Sequence, residues 1–299
     1  ITENGHTAMA NRALSYFSKG AYLKELMEGI TFYEFANALY KNFDDSYEKI
    51  CENLKAALNA FAKPQNLIVS YTGMKDLNEP ITNAMDSIQK YLNDDSSDVV
   101  EQFMELEIRN EGFKTASKVQ YAAQAGNFLE RGFHYTGALN VLQIIFSYDY
   151  LWINVRVKGG AYGCMCSFNR IGDGYFTSYR DPNLGRTYDV YKDAVTYVQE
   201  FDASDRDMVK YIIGAIAKLD APMTPSAEGA YDFICYLSGI TDEQLQQDRD
   251  EVLRADVAAI RELAPYVEAI LSKQCVAALG DEEVIEKEAE LFKEVKSLI

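Results

Sequence analysis

The stretch Ala161-Tyr-Gly-Cys-Met-Cys-Ser-Phe-Asn169, continued by Arg170-Ile-Gly-Asp-Gly174 and Tyr175-Phe-Thr-Ser-Tyr-Arg180, decides the fold class. Its first part alternates, placing Tyr162, Cys164, Cys166 and Phe168 on one face of a strand. Asn169–Gly174 is made of turn formers and Tyr175–Arg180 returns as a second strand, so the whole reads as a β-hairpin that Asp181-Pro-Asn183 stops. Upstream, Lys118–Ala123 is a further strand. Thr136 can cap a long helix with apolar residues at Leu139, Leu142, Ile145, Phe146 and Trp152. Downstream, helical patterns cover Thr187–Glu200, Ser204–Leu219, Ala227–Ser238 and Thr241–Leu263. This order predicts an α+β fold, a mostly antiparallel sheet with helices packed on it.

A faint internal repeat sets the domain organisation. Ile50–Ala62 is helical, Asn66-Leu-Ile-Val-Ser-Tyr-Thr-Gly73 is a short apolar strand ending in Gly, and Asp76–Leu92 is helical again. At the other end, Ala258–Ser272, Gln274-Cys-Val-Ala-Ala-Leu-Gly280 and Asp281–Leu298 follow the same order. The spacing implies a domain of about 200 residues. Residues 1–98 then read as the end of one copy (helices, strand, helix) and 99–299 as the next. The polar run Asn93-Asp-Asp-Ser-Ser-Asp98 is the linker and Val99–Asn110 the crossing. Before the first repeat, Thr7–Glu28 and Thr31–Leu39 are amphipathic helices broken at Gly29.

Composition narrows the function classes. The chain has 299 residues with 29 Lys+Arg against 46 Asp+Glu, a formal net charge of −17. Phosphate-backbone binding needs clustered bases, so a nucleic-acid surface is not expected. An acidic field favours basic partners, although charge of this size also serves solubility alone. The five cysteines (Cys51, Cys164, Cys166, Cys235 and Cys275) form no CxxC pair and indicate buried thiols in a reducing compartment. The longest uncharged stretch, Gly132–Tyr148, is interrupted by His134, Asn140, Gln143 and Ser147, so no membrane span is expected and the chain should be soluble. No signal peptide opens the chain.

The search for chemistry eliminates more than it finds. There is no GxxxxGK[ST] loop, no GxSxG elbow and, at Gly159-Gly160-x-x-Gly163, no dinucleotide turn, because a strand follows. Only two histidines are present. His134, between Phe133 and Tyr135, is expected to be a partly buried ring, and His6 to be exposed in a polar leader. Cys164-Met-Cys166 lacks two further ligands for zinc. No self-sufficient active site emerges.

One segment stands apart: Val155-Arg156-Val-Lys-Gly-Gly-Ala-Tyr162-Gly163. A long helix ends in basic residues, Gly159 and Gly160 form a flexible link or an ordinary helix stop, and a tyrosine opens the strand. Arg156 and Tyr162 can be two donors aimed into one cleft, suited to a carbonyl oxygen on which negative charge develops. They can equally be an arginine complementing the helix dipole and a tyrosine packed on the sheet.

Three runs carry a family resemblance: Tyr135-Thr-Gly-Ala-Leu-Asn-Val-Leu142, Tyr148-Asp-Tyr-Leu-Trp-Ile-Asn-Val-Arg-Val-Lys-Gly-Gly-Ala-Tyr-Gly163 and Ser178-Tyr-Arg-Asp-Pro-Asn-Leu184. With the leader from Asn4 to Phe35 they resemble the C-terminal domain of presequence proteases, members of the pitrilysin/insulinase-type zinc metallopeptidases. The resemblance implies four homologous αβ domains in two halves closing around an unstructured peptide, with this chain holding the end of the third domain and the fourth. It implies a zinc site, HxxEH, in an N-terminal catalytic half. The motif does not occur here, so this chain is expected to bind no metal and to be inactive alone.

It also implies that Arg156 and Tyr162 reach the scissile carbonyl, although other branches of the superfamily place one more residue between the pair. Gly159 and Gly160 would let the substrate loop adjust. The implied partners are the N-terminal half and unstructured peptides, basic ones if acidic residues line the chamber. The implied location is the cytoplasm of a bacterium, or the mitochondrial or plastid matrix of a eukaryote. The alternative is a non-catalytic binding or scaffold subunit paired with a separate catalytic chain. A free-standing helical adaptor with no peptidase link fits the Arg156–Tyr162 loop less well.

Overall fold

A computed structural model describes residues 2–92 and 105–298. The helices are α1 (Gly5–Ser15), α2 (Lys19–Glu28), α3 (Ile30–Lys41), α4 (Phe43–Phe61), α5 (Asn78–Gln89), α6 (Ala138–Ile145), α7 (Gly185–Gln199), α8 (Asp205–Leu219), α9 (Pro225–Ser238), α10 (Asp242–Arg254), α11 (Val257–Arg261), α12 (Ala264–Ser272) and α13 (Glu282–Lys287). The strands are β1 (Glu111–Thr115), β2 (Tyr121–Asn127), β3 (Gly163–Phe168), β4 (Asp173–Tyr179), β5 (Cys275–Asp281) and β6 (Glu294–Ser297). They form one sheet among the described residues, in the order β3-β4-β2-β5-β1-β6. The β3–β4, β4–β2 and β2–β5 ladders are antiparallel, while β1 runs parallel to both β5 and β6. The α+β expectation holds, with a mixed sheet.

The chain separates into two compact units: Ile1–Glu34, Glu105–Asp220 and Gln246–Ile299 in the first, Phe35–Met104 and Ala221–Leu245 in the second. In the first unit, alternation along the strands feeds two cores. Tyr121, Ala123, Ala125, Ala277 and Leu279 pack on one face with Met9, Ala10 and Ala13 of α1. Ala122 and Ala278 face the other way, into the larger cluster built by α6, α7 and α12. Helices therefore cover both faces of the sheet. Alanines on β2 and β5 let the helices approach closely.

What ties α1 to the sheet is electrostatic. Arg12 donates through Nε and Nη2 to the two carboxylate oxygens of Glu111 at 2.7 and 2.9 Å, and through Nη1 to Glu25 and Thr31 at 2.8 Å. Tyr16 Oη and Lys296 Nζ also donate to Glu111, at 3.0 and 2.7 Å. Arg12, Glu25 and Glu111 are 4%, 1% and 0% exposed. The expected division at residue 98 lies outside the described residues. The first 34 residues join the sheet-bearing unit because this buried bidentate pair spans from residue 12 to residue 111.

One strand reading and one helix reading differ from the structure. Asn66–Gly73 forms no strand: Leu67 is extended, at φ −84 and ψ 113, but Ile68 and Val69 are 58% and 48% exposed, with no ladder partner among the described residues. Asp281–Leu298 is not one helix. It stops after α13, makes a short turn at Ala289–Leu291 and adds β6 to the free side of β1. There Lys293 N–H donates to the Asn110 carbonyl at 2.8 Å and Phe292 covers Gly112. β1 itself, Glu-Gly-Phe-Lys-Thr, carries no strand pattern and was not expected.

Burial alone would raise the Glu111 carboxyl, but hydrogen bonds and charge from Arg12 and then Lys296 override it and hold it down at about 2. A depressed carboxylate contributes stability that is complete above its unfolded value of about 4.3 and is lost as pH falls toward 2. Glu111→Gln should therefore cost about 3–5 kcal/mol near neutrality by taking from buried Arg12 its bidentate counter-ion and leaving it Glu25 alone. It should also flatten the acid limb of stability between about pH 4.5 and 2, read by urea denaturation across pH. An unchanged acid limb would assign that limb to other carboxylates.

Candidate functional site

The Arg156–Tyr162 loop is built by an irregular helix. α6 continues without a break as π-helical turns over Phe146–Tyr150 and Trp152–Val157, the last closed by Lys158 N–H donating to the Ile153 carbonyl at 2.9 Å. Closing each bond five residues back instead of four widens the turn and brings residues four apart nearly into line. Trp152 and Arg156 are such a pair. The Arg156 guanidinium carbon lies 4.0 Å from the centre of the Trp152 ring and 5.7 Å from the Tyr162 ring. Tyr162 in turn meets Tyr179 edge-on at 5.7 Å, and the Arg180 guanidinium sits 5.4 Å over Tyr179. The result is a ladder of alternating cations and rings. The sequence-predicted pair is together, and Trp152, Tyr179 and Arg180 extend it.

Tyr162 is 65% exposed and Trp152 40%. Neither the Arg156 guanidinium nor the Tyr162 hydroxyl hydrogen-bonds to another described residue, so their donors are free for a ligand. The dipole and sheet-packing roles left open by the spacing are thus only part of the picture.

The two glycines end the helix. Gly160 adopts φ +84, its N–H donates to the Arg156 carbonyl at 2.9 Å, and the Ala161 N–H reaches the Val155 carbonyl at 3.2 Å. The link is tied down from outside: Asn183 Nδ2 donates to the Gly159 carbonyl at 2.6 Å and Arg186 Nη2 to that of Lys158 at 3.1 Å. Tyr162 N–H joins the β4 end by donating to the Tyr179 carbonyl at 3.0 Å. Asp181, fully buried, fixes this corner by accepting from Asn183 N–H at 2.9 Å and Thr187 Oγ1 at 2.7 Å. In the sequence Asp181-Pro-Asn183 stands as a strand stop and within the run Ser178–Leu184 that carries the resemblance, not as a clamp. The clamp is hidden there because Asn183 reaches the Gly159 carbonyl, 24 residues away.

The histidines and thiols differ from a metal or nucleophile site. His134 is exposed rather than partly buried. His6 is half-buried rather than exposed: α1 docks it edge-on to Tyr179 at 4.8 Å, its Nδ1 lacks a partner among the described residues, and burial lowers its pKa. The five cysteines are free thiols. Burial pushes Cys164 up to about 12 against the opposing charge of Arg156, and raises Cys166 as well, so both stay protonated near neutrality. Among the described residues no three His, Cys, Asp or Glu side chains gather where they could hold a metal ion.

Residues 110–280 match the family described as the PreP C-terminal domain. The chain belongs to this family. It is 36% identical over 300 residues to the protein HypA of Clostridium perfringens, covering all of this chain and 30% of that protein. It is 30% identical over 304 residues to presequence protease 1, chloroplastic/mitochondrial, of Arabidopsis thaliana, covering 99% of this chain and 28% of that protein. A mitochondrial presequence protease of Aspergillus fumigatus is 27% identical over 295 residues, covering 94% and 27%. The chain therefore spans less than a third of the length of these relatives, and it resembles their C-terminal part. No helix among the described residues is long and apolar enough to cross a membrane.

The loop geometry orders two substitutions. A Cβ at Gly159 would meet the Val155 carbonyl oxygen at 2.3 Å, whereas one at Gly160 meets only Pro182 Cγ at 3.4 Å. Gly160→Ala should cost about 1 kcal/mol, from its left-handed backbone alone. Gly159→Ala should cost more, because backbone must move. Thermal unfolding of both variants checks the order, and a smaller loss at Gly159 would contradict the loop conformation.

Proposed function

We propose that this chain is the C-terminal, substrate-binding part of a zinc-dependent metallopeptidase that degrades unstructured peptides in a closed chamber. Arg156 and Tyr162 contribute to the scissile carbonyl. The observation that carries the reading is the pair itself: two donors without a hydrogen-bond partner among the described residues, Arg156 against Trp152 and the Tyr162 ring, Tyr162 against Tyr179, on a loop held at the Gly159 carbonyl. Family membership and the short share of the relatives' length support placing the metal site in an N-terminal part outside this chain.

The chemistry assigned to this chain needs no proton transfer. Arg156 presents N–H groups and Tyr162 presents an O–H. Both donate to the carbonyl oxygen, and their bonds strengthen as negative charge develops there in the transition state. Stacking on Trp152 limits the rotamers of Arg156, so little ordering is left for the moment of reaction.

One helix supports reading residues 1–98 as the end of a preceding homologous domain, although the second unit excludes the first 34 residues and takes in Ala221–Leu245. In α4, Phe43, Tyr47, Leu54, Leu58 and Phe61 recur at helical spacing, yet each is 52–65% exposed and the helix has no buried residue. Such a stripe belongs against a core that the rest of that domain would supply.

In the longer protease, Tyr162→Phe should lower kcat by about 10²–10³-fold, the loss of one oxyanion donor, with KM changed far less and zinc content intact. Arg156→Ala should lower kcat and weaken peptide binding together. Steady-state kinetics with metal analysis decides it. Unchanged kinetics in both variants would remove the pair from catalysis and favour a binding or scaffold role.

A further inference from the structure

The surroundings of Arg156 run against the charge of the chain. Net charge is −17, and several bases elsewhere in the first unit find acids, Lys114 with Glu282 and Glu286, Lys210 with Asp207, Arg254 with Asp250 and Lys273 with Glu130, while others, Arg131 and Lys293 among them, reach a serine hydroxyl or a backbone carbonyl. Around the loop, Arg156, Lys158, Arg180 and Arg186 form no ion pair with any described residue. Lys158 Nζ reaches only Asn154 Oδ1 at 3.2 Å, and Arg186 only the Lys158 carbonyl. Arg180 stands over Tyr179 in a left-handed backbone conformation, φ +49, which a non-glycine residue adopts at a cost.

The nearby acids are committed elsewhere. Asp181 is fully buried and accepts from Asn183 and Thr187, and Glu288 accepts from Gly185 N–H at 2.6 Å. Asp189, one turn beyond Arg186 on α7, lines a separate cleft with Lys192. Four bases on one loop and its flanks, without an acid partner among the described residues, favour a local positive field. Guanidinium groups present forked donors that match a carboxylate, and the rings between them hold the forks in place.

We propose that this corner binds a carboxylate of the peptide lying beside the scissile carbonyl, with Arg180 and Lys158 as specificity-determining residues. The proposal rests on the reading of Arg156 and Tyr162 as the carbonyl-facing pair. The carboxylate is either an acidic side chain or the peptide's C-terminus. The sign is opposite to that expected from net charge, which pointed to basic peptides.

The test uses the longer protease and internally quenched peptides with one common core. Flanks carry Glu, Gln or Lys on an amidated C-terminus, and a further Gln peptide has a free C-terminus. A carboxylate-bearing peptide should exceed its neutral counterpart about tenfold in kcat/KM, mainly through KM. Preference for the Glu peptide assigns the side chain, and preference for the free C-terminus assigns the terminal carboxylate. The ratio should fall toward one in the Arg180→Ala/Lys158→Ala double variant. In wild type it should fall as salt rises from about 0.05 to 1 M, which shortens the screening length from above 10 Å to about 3 Å.

A wild-type ratio of one, a preference for the Lys peptide, or a ratio untouched by salt overturns the proposal. The salt series decides the matter even if the double variant does not fold. Tyr162→Phe separates the two readings. Lower kcat on every peptide at a constant ratio supports both, whereas unchanged kcat removes the carbonyl role and leaves the charge ratio to judge the corner alone.

Discussion

The buried pair of Arg12 and Glu111 is the constraint on which the sheet-bearing unit depends. A fully buried carboxylate is costly unless its charge is met and its lone pairs are filled. Here a bidentate guanidinium, a tyrosine hydroxyl and a lysine do both. The donors come from two places: Arg12 in α1 with Tyr16 at its C-terminal cap, and Lys296 in β6. Glu25 adds the second acid that Arg12 requires, and its carboxylate also accepts from Thr31 N–H at 3.1 Å, where α3 begins. Removing any one charge leaves another stranded, so the network fixes α1, β1 and β6 together. It selects one arrangement more than it adds net stability.

That arrangement positions the candidate site indirectly. With α1 seated, His6 and Tyr121 pack beside Tyr179, and Tyr179 is the ring between Tyr162 and Arg180. On the other face, Phe146 in the first π-helical turn packs on Phe168 and Phe176 of the hairpin, which sets the height at which the helix ends. The ladder of cations and rings is thus held from both sides of the sheet. Its members are ordered without using their own donors.

How much was legible in the sequence follows from the range of the interactions. The hairpin, α7 and α8, the last with Ser204 accepting from Asp207 N–H at 3.2 Å, are local, and periodicity located them, α7 two residues late. The strand β1 was missed because Glu111 and Gly112 are chosen for an ion pair and for Phe292, not for strand propensity. The C-terminal helix was overextended because Glu283, Lys287, Glu290 and Lys293 keep helical spacing while β1 offers an unpaired edge, and the ladder wins. The strand at Asn66–Gly73 was overread for the converse reason: apolar residues without a neighbouring strand cannot form a ladder.

The site shows the same division. Arg156 and Tyr162 were visible as residue types on a helix stop, and the family resemblance assigned them roles. What made them a pair lies outside the local pattern: a π-helical turn that aligns Trp152 with Arg156, and Asn183 holding the Gly159 carbonyl. Net charge is a coarse guide to a site for a related reason. Charge summed over a chain says little about the field at one corner, because paired acids and bases cancel where they stand. What remains at a cleft is set by the charges left without partners. In this chain the bases left unpaired there surround the loop that the fold has already pinned.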